Sequence, residues 1–224
     1  ESLKGDYIIF ATGASGFNKN GSAPKKRTFM EILLKHDPVN TTLTSKIWPS
    51  KTSFIAELFR PRQVGNLIHD GHPTPELRRR WRDALSQIED DTTVLAVFDN
   101  AETFAAVVKE VKAADLGISI NTNALHDDTD QALRDAGITR HPIEHSLGFH
   151  GQRERLPNPD ILALSTMCGH GMVGFNLVKR MLDGVKLGQL SPDRAAEYLM
   201  KPCTCGAFNP ARAVKLLTAD RDRV

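Results

Sequence analysis

Between residues 92 and 137 the chain changes its hydrophobic period again and again, and that limits what it can fold into. Residues 92–98 (Thr-Thr-Val-Leu-Ala-Val-Phe) form a β-rich apolar run, the pattern of a buried strand. Residues 101–114 place Phe104, Val107, Val108 and Val111 at i, i+3, i+4 and i+7, one face of an amphipathic helix. A second strand is expected over 116–121, and a helix over 127–136 ended by Gly137. A third strand is expected over 138–143 and a further one over 160–165. Strands alternating with helices at this spacing predict an α/β fold with a parallel-rich sheet flanked by helices.

The rest of the chain extends this frame. Residues 7–11 read as a strand, and residues 28–36, 52–59 and 75–88 as helices. Thr74-Pro75 supplies a cap and an N1 proline for the last of these. From Gly171 onward every segment reads as helix: Val173, Leu177, Val178, Met181, Leu182 and Val185 mark one stripe. Ser191-Pro192 and Asn209-Pro210 then open two more helices. The expected organisation is a sheet domain over 1–165 and a helical C-terminal subregion over 166–224, or one integrated domain.

Charge narrows the function. Lys plus Arg number 29 against 27 Asp plus Glu, a net charge of +2. That balance argues against a nucleic-acid groove and a polybasic membrane patch. Hydrophobic residues make up 40% and charged residues 25%, ordinary globular usage that excludes disordered and collagen-like classes. The apolar runs are short, so no membrane span is expected. The 224 residues suffice for one large domain or two small ones.

Tyr7-Ile8-Ile9-Phe10-Ala11-Thr12-Gly13-Ala14-Ser15-Gly16-Phe17 resembles the first strand and turn of the short-chain dehydrogenase/reductase family. The resemblance implies a glycine turn whose backbone approaches a pyrophosphate. It covers about eleven residues. Lys19 stands at the third glycine position, and the family's Tyr-x-x-x-Lys pair is missing: Tyr198 is followed by Pro202. A reduced expectation is an anion contact made by the turn with Lys19, Lys25, Lys26 and Arg27.

The three cysteines carry the stronger signal. Cys168 lies in Thr166-Met167-Cys168-Gly169-His170-Gly171, and Cys203 and Cys205 lie in Pro202-Cys203-Thr204-Cys205-Gly206. An odd number of thiols points to a reducing, cytoplasmic setting. Each run is wrapped in Gly or Pro at the end of an expected element, where side chains can converge and a metal can approach. Four readings follow. Cys168, Cys203 and Cys205 hold a 4Fe–4S cluster with one iron open to substrate as a Lewis acid. Alternatively His170 joins them in a Cys₃His zinc site. Otherwise Cys168 is a nucleophile with a resolving thiol, or the thiols only pack.

A second polar run, His141 to Arg153, holds His141, Glu144, His145, His150 and Arg153. It is expected to leave the C-terminal edge of a parallel sheet, where such folds bind ligands. His145, His150 and His170 are the candidate acid–base residues. Asn121, Asn123 and Arg153 are candidate substrate contacts, Arg153 through a two-pronged grip on a carboxylate or phosphate. His69-Asp70-Gly71-His72 is a weaker metal-like fragment, and Arg78, Arg79, Arg80 and Arg82 circle a helix as a solvated face. Together these predict an iron–sulfur-dependent lyase acting on a small polar or anionic metabolite by elimination, hydration or sulfur removal. The alternative is a zinc-stabilised ligand-binding or regulatory module. The pattern leaves a homo-oligomer open.

Overall fold

The structure, a computed structural model, describes residues 4–47, 67–145, 147–148 and 150–223. The helix expected at 52–59 lies outside the described residues. The longest strand, β1 (Tyr7–Thr12), lies between β5 (Val94–Phe98) and β6 (Ser119–Asn123), and β2 (Asn40–Thr41) borders β5. Every hydrogen-bonded pair in this sheet is antiparallel, which overturns the expected parallel-rich sheet.

The connections explain the discrepancy. β1 leads through α1 (Ala23–Lys35) to β2, and β5 leads through α4 (Ala101–Ala114) to β6. β5 and β6 both run opposite to β1, so they share a direction, but β1 separates them. In the same way β5 separates β1 from β2. Two split β–α–β units are thus interleaved, the ferredoxin-like connectivity. Alternation along the chain sets the direction of successive strands. It does not say which strand fills the gap between them.

Alternate residues of the strands serve two cores. Tyr7, Ile9 and Ala11 of β1 and Val94, Ala96 and Phe98 of β5 join the core that includes α1 and α4. Ile8, Leu95 and Val97 face the other way, against Val39 and Ala211, with Phe10, Cys205 and Ala207 packed alongside. All five residues of β5 are therefore buried. Each such Val, Leu or Phe contributes about 1.5–3 kcal/mol relative to exposure.

Helix α1 starts before the expected position. The carboxylate of Asp90 accepts hydrogen bonds from the backbone N–H of Gly21 at 2.8 Å and of Ala23 at 2.7 Å. The buried Lys26 Nζ donates to the Asp90 carbonyl at 2.6 Å. A residue distant in sequence thus caps a polar stretch that reads locally as loop. The glycine turn is also closed on itself: Phe17, Asn18 and Lys19 donate their N–H groups to the Ala14 carbonyl. The Ala14 N–H is taken by Asn18 Oδ1.

The fragment His69-Asp70-Gly71-His72 forms a hairpin of β3 (Ile68–His69) and β4 (His72–Pro73). Asp70 and Gly71 have φ of 48° and 78°, as a two-residue type I′ turn demands. After α2 (Leu43–Ile47) come α3 (Pro75–Ala84), α5 (His126–Asp135), α6 (Pro159–Ser165), α7 (Phe175–Lys186), α8 (Pro192–Met200) and α9 (Pro210–Arg221). The strand expected at 160–165 is helix α6. Its Asn158-Pro159 opening repeats the cap-and-proline device of Thr74-Pro75, Ser191-Pro192 and Asn209-Pro210. In all four, the capping side chain accepts the N–H three residues on.

No strand forms at 138–143. Pro142 lacks a ladder donor, and Arg140 instead pairs with Asp130 at 2.8 Å. One buried core runs through both the sheet and the C-terminal helices. Among the described residues no helix is long and apolar enough to cross a membrane.

Candidate metal and substrate site

The second face of the sheet positions the cysteines. Between α8 and α9 the chain turns back over this face, where Cys205 and Ala207 pack near Phe10, Leu95 and Val97. Polar bonds fix the docking. The fully buried Asn40 donates from Nδ2 to the Phe208 carbonyl at 2.8 Å. Its Oδ1 accepts from Thr41 N and from Thr44 Oγ1. Thr42 Oγ1 donates to the Cys205 carbonyl at 2.9 Å and accepts from Leu95 N at 2.9 Å. Gly206 has φ of 84°, and a Cβ there would stand 2.3 Å from the Thr41 carbonyl carbon. Only glycine allows this approach.

The thiols meet at this turn from two places in the chain. Cys203 Sγ lies 3.7 Å from Cys205 Sγ. Cys168, in the turn between α6 and α7, comes close enough to interact with Cys203 as well. Cys168 and Cys203 are buried, whereas Cys205 is partly exposed. All three are free thiols. None stands at a helix N-terminus: α7 begins at Phe175 and α9 at Pro210. The macrodipole is therefore not what tunes them. A hydrogen bond from Cys203 is the main influence on the Cys205 thiol. With the Ala207 N–H and the His170 ring it holds Cys205 down to about 5, against the opposing effect of burial. Cys203, as donor in that bond and buried beside Cys205 and Cys168, is pushed up.

Cys205 and His170 open onto a cleft of about 620 Å³. Its walls include Thr42 and Lys46, just after β2, and Asp91 and Thr93, just before β5. Antiparallel pairing of β2 with β5 puts these two segments at the same end of the sheet. The cleft thus lies at the entrance to β5, not at the exit from β5 and β6 where a parallel sheet would hold its ligand. Nothing in the local sequence of 42–46 or 91–93 signals this. The pairing of β2 creates it.

The other candidates are placed elsewhere. His145 is exposed and stacks on His126, ring centroids 5.7 Å apart. His150 is exposed and bonds the Leu147 carbonyl at 2.9 Å. Arg153 begins an exposed 3₁₀ turn. None of these three lines the cleft. Asn121 and Asn123 are exposed on edge strand β6, opposite Phe10 and Ile8 in register. Of the proposed acid–base residues only His170 is beside a thiol.

Among the described residues, one group of three His, Cys, Asp or Glu side chains brings its ligand atoms within 4.8 Å of one another: His69, Asp70 and Asp193. There Asp193 accepts the Gly71 N–H at 2.8 Å, tying the hairpin turn to α8. His72 points instead toward Asp99, 3.6 Å away. The three thiols do not form such a group. Comparison with protein-family models, curated proteins and solved structures finds no match to this chain.

Proposed function

We propose that the protein is a metal-dependent enzyme whose iron–sulfur cluster is held by Cys168, Cys203 and Cys205. The carrying observation is that Cys205 lines a polar cleft with His170 beside it, while Cys203 lies 3.7 Å behind and Cys168, from a separate turn, interacts with Cys203. Each thiolate of such a cluster binds a different iron, so Cys203 and Cys205, 3.7 Å apart, must move apart to take it. Three protein ligands leave one iron to polarise a substrate oxygen or sulfur. His170, exposed at the cleft, is the group that moves a proton. The chemistry that fits is elimination, hydration or sulfur removal on a small polar or anionic metabolite. Free thiols of this kind belong in a reducing compartment such as the cytoplasm.

One observation favours a second reading. Two thiolates on a tetrahedral zinc with bonds of about 2.3 Å stand about 3.8 Å apart, close to the 3.7 Å between Cys203 and Cys205. In that reading Cys168 and His170 close in to complete a structural zinc site, and the protein binds a ligand without catalysis. Protein purified without oxygen separates the two. Iron and acid-labile sulfide in equal amounts, with broad visible absorption, support the cluster. Stoichiometric zinc supports the second reading, and absence of any metal rejects both.

A further inference from the structure

Two side chains of opposite charge line the cleft beside Cys205 without meeting each other. Lys46, in the last turn of α2, and Asp91, two residues before Thr93, both reach it and both are exposed. Neither forms a salt bridge among the described residues. Asp91 acts electrostatically on the buried Lys26, whose Nζ is bonded to the Asp90 carbonyl. Much of the remaining polar wall is hydroxyl. Thr42 is committed to the Cys205 carbonyl and Leu95 N–H, and Ser45 to the Thr42 carbonyl. Thr93 and Thr204 complete the rim.

Opposite charges on an open surface normally gain by pairing, though little. Here they sit on separate segments, Lys46 on α2 after β2 and Asp91 before β5, and form no ion pair with each other. We propose that the cleft takes a small zwitterion of the α-amino-acid class, its carboxylate toward Lys46 and its ammonium toward Asp91. A simple anion would leave Asp91 facing it with like charge, and a simple amine would do the same with Lys46. The zwitterion alone satisfies both, and its side chain then extends toward Cys205 and His170. The inference rests on the reading above only in taking this cleft as the substrate site; it needs no particular metal.

Binding of L-alanine, L-lactate and isopropylamine to the as-purified protein, followed by NMR shift titration, tests it. L-alanine should bind up to about fivefold tighter than either half-charged analogue, the scale of one exposed ionic contact. Lys46→Met should remove the advantage over isopropylamine, and Asp91→Asn the advantage over L-lactate. Both sites are exposed, so unchanged melting of the variants confirms that the fold is intact. Equal binding of the three probes, no L-alanine binding, or variants that keep the full preference would overturn the proposal. Metal-free protein that keeps the preference would sink the metal reading and leave this one standing. Iron-loaded protein without the preference would do the reverse.

Discussion

The two segments richest in reactive side chains meet opposite fates. Residues 141–155 concentrate His141, Glu144, His145, His150 and Arg153 within a short length of chain, yet all five are exposed, the first four on irregular backbone. Residues 166–206 place Cys168 and His170 before two helices and Cys203 and Cys205 after them, yet Cys203 lies 3.7 Å from Cys205, and Cys168 and His170 each interact with one of this pair. The difference is anchoring. The cysteine turn is fixed to the sheet through Asn40, Thr42 and the bare backbone of Gly206. In the histidine run Ile143 and Leu147 are exposed and join neither core cluster among the described residues. Density in sequence does not make a site, whereas attachment to a rigid element does.

The sharpest way to break this contrast is glycine replacement. Gly206→Ala should cost about 3–5 kcal/mol, because a left-handed φ and a backbone clash coincide. Gly148→Ala and Gly151→Ala carry similar φ values but meet nothing within 4 Å, so each should cost at most about 1–2 kcal/mol. Thermal melting of the three variants decides it, and equal losses would dissolve the distinction.

A smaller effect is expected from Thr42→Val. It removes the bonds to the Cys205 carbonyl and the buried Leu95 N–H, a loss of about 2 kcal/mol. Denaturant unfolding measures it, and a neutral result would mean the turn is held by packing alone. His145→Ala and His150→Ala should change stability by less than about 0.5 kcal/mol and leave metal content untouched. His170→Ala should also fold normally and keep its iron if the cluster is held by the cysteines alone, whereas a zinc site completed by His170 would lose metal, as elemental analysis would show.

The finest test reads the thiols themselves. In reduced, metal-free protein, iodoacetamide should label the partly exposed Cys205 first, with a midpoint near the pH of about 5 at which its thiolate forms. Cys203, buried and pushed up, should follow last. Labelling of both with one ordinary alkaline midpoint would show that the pair does not interact.

Much of the helical framework is legible along the chain, because cap, proline and apolar stripe are local signals. Asn158-Pro159 carries the same signal for α6, and the apolar run behind it reads as strand only when that cap is overlooked. The sheet is less legible. Strand β2 is two residues long, too short for any period, yet it turns the sheet's order and makes the cleft. Asp90 likewise caps α1 from far along the chain. For the site, the placement of the cysteines at element ends is legible, and the structure puts Cys203 beside Cys205 with Cys168 interacting with Cys203. Lys46 and Asp91 carry no signal of their own, since ordinary surface lysines and aspartates look the same until strand pairing puts them on one rim.

The most direct measurement is the metal content of protein purified without oxygen, compared with Cys168→Ser, Cys203→Ser and Cys205→Ser. A shared inorganic centre predicts bound iron and sulfide in the parent chain and a steep fall in each of the three variants alike. Iron retained in full when the buried thiol of Cys168 is removed, or a parent chain that folds with all three thiols free and no metal, would contradict it.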